Sequence, residues 1–95
     1  MSFEELRAHR EEILAIAARH GARNVRVFGS VARDEAGPES DVDFLVDFEQ
    51  GRSLFDLGAM VLDLQDLLGR RVDVTTPGSL YVPARRSVLA DARHI

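Results

Sequence analysis

The segment over residues 28–48, FGSVARDEAGPESDVDFLVDF, constrains the fold of this chain more than any other. A Gly-Ser pair is followed, after ten intervening residues (31–40), by Asp41 and Asp43 at the head of an apolar run. Residues i and i+2 of a β-strand project from the same face, so these two carboxylates would lie side by side. The apolar residues that alternate with them would point into a core. The segment therefore predicts a strand that carries two carboxylates on its exposed face.

The surroundings of this pair indicate what it would bind. Two carboxylates so close repel each other unless a cation lies between them, and hard oxygen ligands suit Mg²⁺. Gly29 and Ser30 follow a short apolar strand and predict a tight turn at the start of a short helix, where backbone amides can face a phosphate. We therefore expect a site for Mg²⁺ and a nucleoside triphosphate.

A third carboxylate fits the same pattern. Asp73 lies between Val72 and Val74 in an alternating segment, so it would face away from the core. If its strand neighbours the Asp41–Asp43 strand, the three carboxylates and the phosphate oxygens can hold two Mg²⁺ ions, and Asp73 can accept a proton. An isolated pair of aspartates is more often a set of solvated surface charges. The turn, the spacing and the third aspartate together favour the metal site.

The rest of the chain predicts one small α/β (α+β) domain that spans residues 1–95, with elements in the order α-β-α-β-α-β-α. The first helix has a capping-box pattern at Ser2, and Gly21 follows its end. The clearest helix follows Ser53 and ends before Gly69, with apolar residues at helical spacing. The predicted helices cover residues 2–20, 31–35, 53–68 and 82–93, and the predicted strands cover residues 24–28, 41–48 and 70–75.

Composition excludes several classes of protein. The chain has no cysteine, which excludes disulfides and thiolate metal sites. Its net charge of −4 argues against direct nucleic-acid binding, which needs a basic face. The first residues lack the pattern of a signal peptide, and the apolar stretches are too short to span a membrane. We therefore expect a cytoplasmic protein.

The combined motif resembles the GS-x10-D-x-D signature of the DNA polymerase β-like nucleotidyltransferase superfamily. The size of the chain and the strings GSVAR and SDVDFLV are similar to its minimal nucleotidyltransferases, the MNT-type antitoxins paired with HEPN-domain ribonuclease toxins. The resemblance runs from the first helix through RRVDVTTP and implies a small mixed sheet of three to four strands flanked by helices. One departure is Asp34, where family members usually carry glycine.

The resemblance also implies an activity and a set of site residues. It assigns the metal ions and catalysis to Asp41, Asp43 and Asp73, and the phosphates of ATP to Gly29 and Ser30. Family members transfer AMP from ATP to a tyrosine of the HEPN toxin, which makes such a chain a protein adenylyltransferase and an antitoxin. Two alternatives stay open: a non-catalytic antitoxin that neutralises the toxin by complex formation, and transfer to a small-molecule hydroxyl. The chain offers no visible acceptor-binding segment, which favours a protein partner.

Three further residues have two interpretations each. Arg33 lies one turn beyond the Gly-Ser pair and would reach a phosphate or the partner, or else be a solvated helix residue. Ser40 would help to bind the nucleotide by orienting Asp41, or would serve only its turn. Tyr81 would stack on a base, or would pack against the last helix.

Overall fold

The computed structural model describes residues 1–79 and 82–95, which form a four-stranded mixed sheet with helices packed against it. The helices are α1 (Phe3–Arg7), α2 (Arg10–Arg19), α3 (Gly29–Ala32), α4 (Leu54–Leu68) and α5 (Val82–Asp91), with a 3-10 turn at Pro77–Ser79. The strands are β1 (Ala22–Phe28), β2 (Val42–Phe48), β3 (Val72–Thr75) and β4 (Arg93–His94). The order across the sheet is β3-β2-β1-β4, with β2 parallel to β3 and with β1 antiparallel to β2 and β4. This arrangement confirms the predicted fold class.

Strand β2 forms the centre of the core. It is hydrogen-bonded to β1 on one side and to β3 on the other. Val42, Phe44 and Val46 share one face of the strand and are fully buried, as is Leu45 on the opposite face. A strand this well packed is a rigid support for Asp43, which follows Val42 in the sequence and projects from the opposite face of the strand.

Helix α4 sets the parallel pairing of β2 and β3. It leaves the end of β2 and returns the chain to the start of β3, so both strands begin at the same end of the sheet. The Ser53 side chain and the Asp56 carboxylate form a capping box at its start. Gly69 ends the helix in the left-handed conformation with a φ of +65°. Met60, Leu64 and Leu68 are buried from this helix.

The single helix predicted over residues 2–20 is two helices in the structure. The Ser2 hydroxyl accepts a hydrogen bond from the Glu5 amide at 3.1 Å, which confirms the predicted N-cap. The His9 amide donates to the Leu6 carbonyl at 3.0 Å, and this i to i−3 bond interrupts the helix between α1 and α2. The apolar periodicity continues across the junction without proline or glycine, so the sequence gives no signal of the break.

The C-terminal end of the chain also differs from its prediction. The last helix ends at Asp91 rather than near residue 93, and β4 then pairs Arg93 with Val27 and His94 with Arg26 of β1. Two residues are too few to show the alternation that identifies a strand. Ile95 is buried beyond β4, which anchors this end of the chain to the core. No helix among the described residues is long and apolar enough to cross a membrane.

The capping box predicts the effect of a mutation at the start of α4. Ser53→Ala removes a side chain that accepts from the Phe55 amide, and we expect a loss of about 1 kcal/mol in the free energy of unfolding. Denaturant unfolding measures this loss. Ser87→Ala, at an exposed position inside α5, is the matched control and should change stability by less than about 0.5 kcal/mol. Equal effects of the two substitutions would contradict the capping role.

Candidate active site

Asp43 lies at the meeting point of three elements. The parallel register pairs it with Asp73 of β3, and the antiparallel register pairs it with Phe28 at the end of β1. Phe28 is followed directly by Gly29, the first residue of α3. The structure therefore places the two aspartates on neighbouring strands, with the Gly-Ser turn on the opposite side of Asp43.

The turn is in close contact with the carboxylate. Gly29 has a φ of +72°, and a Cβ atom at this position would lie 2.6 Å from Asp43 Oδ2. Only glycine combines this backbone conformation with such a close approach. The backbone of the turn and the Asp43 carboxylate thus form one continuous polar surface.

The electrostatics of the site centre on Asp43. Its pKa is raised to about 6, first because burial disfavours the ionised form and then because Asp73 and Asp41 place negative charge nearby. The positive charge of the Arg33 guanidinium lowers the pKa of Asp43 and so opposes these effects. A cluster of oxygen ligands with surplus negative charge and an adjacent glycine turn suits a hard divalent cation.

Asp41 lies near a guanidinium as well as near Asp43. Its Oδ1 is 3.9 Å from Nε of Arg71, and its charge contributes to the raised pKa of Asp43. Among residues 1–79 and 82–95, no three acidic or histidine side chains are grouped closely enough to hold a metal ion on their own. Convergence of Asp41 with Asp43 and Asp73 into one ligand set therefore remains a prediction. Mg²⁺ commonly uses one or two carboxylates and completes its shell with phosphate oxygens and water.

Arg33 contacts two carboxylates. Its Nε donates to Glu35 at 3.1 Å and its Nη1 donates to Asp91 at 2.5 Å. These hydrogen bonds, with Glu35 the larger contributor, raise the pKa of the guanidinium above its usual value. Arg33 also acts on the Asp43 carboxyl through its charge, so it lies within electrostatic range of the site.

The two predicted serines are placed differently. Ser30 is the second residue of α3, is half-buried, and its carbonyl accepts from the Glu35 amide at 2.8 Å. The Ser40 hydroxyl accepts from the Gly37 amide at 3.0 Å, which is the turn role that its position suggested. Tyr81 lies outside the described residues.

Arg71, which the sequence predicts to be a surface or partner contact, has a largely exposed side chain near Asp41. It lies two residues before Asp73, so strand parity could have placed it on the same face as that carboxylate. A cavity of about 490 Å³ lies beside it, lined by residues 38–40 and 68–71. These segments lead directly into Asp41 and into β3, and the volume lies within the range of ligand pockets.

The raised pKa of Asp43 predicts how stability depends on pH. Because the folded pKa of about 6 exceeds the ordinary 3.8, the stability contributed by protonated Asp43 is full below about pH 4 and is lost as the pH rises through 6. In metal-free buffer, Asp43→Asn should therefore be more stable than the wild type by about 1–2 kcal/mol at about pH 7.5, and this difference should shrink towards about pH 4.

Thermal unfolding at several pH values in a chelating buffer tests this expectation. Asp66→Asn, at an exposed position of α4, is the matched control and should show no comparable pH-dependent gain. A gain for Asp43→Asn that is the same at about pH 4 and about pH 7.5 would show that ionisation of Asp43 is not its cause.

The contact between the turn and the carboxylate predicts a second effect. Gly29→Ala should destabilise the protein more than Gly69→Ala, since both positions have a left-handed φ but only Gly29 has an atom in the way. We expect about 1 kcal/mol from backbone strain at either site and a further loss of about 1 kcal/mol at Gly29. Denaturant unfolding of both variants measures the difference. Equal losses would argue against the tight approach to Asp43.

This chain is similar to a known family of proteins, to a named relative and to a solved structure. The nucleotidyltransferase domain family matches residues 7–95. Protein adenylyltransferase MntA of Thermococcus cleftensis is 40% identical over 90 residues, which cover 95% of this chain and 88% of the relative. A solved structure described as a candidate minimal nucleotidyltransferase has a TM-score of 0.88 at 50% identity, over 100% of this chain and 97% of that chain.

A more distant structure shares the fold. One chain of a toxin–antitoxin crystal structure with AMP-PNP has a TM-score of 0.74 at 16% identity, over 87% of this chain and 68% of that chain. The family match covers nearly the whole chain, including the Gly-Ser turn and the three aspartates. The chain belongs to the nucleotidyltransferase domain family and is an enzyme of that class.

Proposed function

We propose that this nucleotidyltransferase transfers AMP from ATP to a tyrosine of a HEPN-domain ribonuclease toxin and so acts as its antitoxin. The observation that carries the proposal is the pairing of Asp43 with Asp73 beside the Gly29 turn. That pairing would supply both halves of a nucleotidyl-transfer site: carboxylates for the reacting centre and a backbone turn for phosphates. The relative named as a protein adenylyltransferase supports a protein acceptor.

The phosphates of ATP would bind at the start of α3. Backbone amides at a helix N-terminus favour an anion, and the absence of a side chain at Gly29 lets the turn lie against the Asp43 carboxylate, so a phosphate bound at these amides would lie beside the proposed metal ligands. The Ser30 hydroxyl would donate to a phosphate oxygen. Arg33 would exchange an exposed contact with Glu35 or Asp91 for a phosphate, which carries more charge.

Asp41, Asp43 and Asp73 would hold two Mg²⁺ ions. Bound Mg²⁺ would neutralise charge on the triphosphate and lower the pKa of the attacking hydroxyl. The oxygen ligands and the surplus negative charge that raises the pKa of Asp43 fit this ion.

Asp73 is the residue proposed to accept the proton. It lies on β3, which is at the edge of the sheet in the described part of the chain, so an acceptor can approach it from outside. The tyrosine oxygen would form a bond to the α-phosphorus of ATP while the bond to the pyrophosphate oxygen breaks. The phenolic proton would pass to the Asp73 carboxylate.

The toxin partner is supported by the more distant structure. That protein is a toxin–antitoxin pair with a bound ATP analogue, and one of its chains has this fold. In-line transfer also requires the acceptor oxygen to be held at near-contact distance from the α-phosphorus. A bound partner protein would supply that geometry.

The proposal is tested by mass spectrometry of the protein incubated with its cognate HEPN protein, ATP and Mg²⁺. We expect an AMP-sized increment on a tyrosine of the partner, with Asp73→Asn slower by about 10²- to 10⁴-fold. Asp66→Asn is the control and should react at the wild-type rate.

Two other results would overturn the proposal. An unmodified partner whose ribonuclease activity is nevertheless blocked would identify a non-catalytic antitoxin. Modification of a small hydroxyl compound, with no modification of the partner, would identify a different acceptor class.

A further inference from the structure

We propose that Arg93 is a positioning residue for nucleotide binding. It holds the C-terminal end of α3 in place, and thereby also the Gly-Ser turn at the start of this helix. With Phe3, Ala32 and Asp34 it forms a set of contacts that we name the Arg93 clamp. The inference rests on the proposed phosphate-binding role of that turn.

The contacts of the clamp converge on one guanidinium. Arg93 Nη1 donates to the Ala32 carbonyl at 3.1 Å and lies 3.8 Å from Asp34 Oδ2. Its Cζ lies 3.8 Å from the centroid of the Phe3 ring. The Phe3 amide in turn donates to Asp34 Oδ1 at 3.2 Å. One side chain from the C-terminal strand thus contacts the N-terminal helix and the end of α3.

These contacts differ in how much they contribute to stability. The Asp34–Arg93 ion pair joins two half-exposed side chains and contributes little. The hydrogen bond to Ala32 satisfies a carbonyl at the end of α3, where no helical amide is available to it. Phe3 is only 3% exposed, so the guanidinium covers a ring that belongs to the core. The clamp therefore depends mainly on Arg93 and less on Asp34.

Asp34 gives the clamp its backbone geometry. It adopts a φ of +56°, a conformation that favours glycine, and it lies two residues beyond the end of α3. Its carboxylate takes up one of the amides at the start of α1 that have no helical partner. A glycine here would keep the conformation and lose both contacts.

Because α3 is short, its structure depends on this support. A helix of four residues has almost no stability of its own and relies on contacts at its ends. Gly29, at one end, contacts the Asp43 carboxylate, while Ala32, at the other end, is held by Arg93. Loss of the contact at Ala32 should therefore make the turn at Gly29 less well ordered.

Arg10 offers a matched control. Its Nε donates to the Ile95 carbonyl at 3.0 Å, so it also holds the C-terminal strand, but from α2. Arg10→Ala should free the Ile95 carbonyl while β4 stays paired with β1 and Arg93 keeps its hydrogen bond to Ala32. A purely structural role for Arg93 would make the two alanine variants behave alike.

The experiment measures the affinity for AMP-PNP with Mg²⁺ by titration calorimetry, and amide hydrogen exchange over residues 29–35. Arg93→Ala should weaken AMP-PNP binding by about 3- to 10-fold and accelerate exchange in that segment. Arg93→Lys keeps the charge and a donor, and should stay within about twofold of the wild type. Asp34→Gly should fall between these two variants and tests the clamp independently should Arg93→Ala fail to fold.

The outcomes separate this inference from the proposed function. The clamp alone is overturned if the wild type binds AMP-PNP and the Arg93→Ala variant behaves like Arg10→Ala. In that case the two variants would have the same affinity for AMP-PNP and the same rate of amide exchange over residues 29–35. A wild-type protein that does not bind AMP-PNP overturns both. An Arg93→Lys variant as weak as Arg93→Ala overturns the charge-based account of the clamp.

Discussion

The pairing of Asp43 with Asp73 on the neighbouring strand is the constraint on which the candidate site depends. The parallel register brings the two carboxylates together, and the pKa of Asp43 rises to about 6 as a result of burial and of this neighbouring charge. The fully buried residues of β2, among them Phe44, offset that cost with hydrophobic packing. Stability lost at a site of this kind is a common consequence of assembling charge for function.

The register itself depends on α4. Because side chains alternate along a strand, a shift of one residue in β3 would move Asp73 to the opposite face and bring Val72 or Val74 beside Asp43. The capping box at the start of α4 and Gly69 at its end define where the crossover begins and stops. Two local signals in the sequence thus determine a contact between strands that lie thirty residues apart (43 and 73).

Local patterns in the sequence were sufficient for those parts of the fold and site. Strand parity placed Asp43 and Asp73 correctly, and turn chemistry located the ends of α4. The division between α1 and α2 was missed because the apolar periodicity continues across it. The contacts of Arg71 and Arg93 were missed for a different reason: each joins residues that are distant in sequence, and no local pattern shows which carboxylate or carbonyl such a side chain will contact. The catalytic and nucleotide-binding roles remain predictions.

Two arginines lie near the aspartates of the candidate site. Arg33 contacts Glu35 and Asp91, and Arg71 lies near Asp41. These are exposed ion pairs, which contribute little to stability because water screens them. Their loss would therefore cost the fold little, whereas a phosphate offers either guanidinium a stronger charge-assisted contact. Under the proposed function, Arg33 and Arg71 are cations near the site that the fold can release to a substrate at little cost in stability.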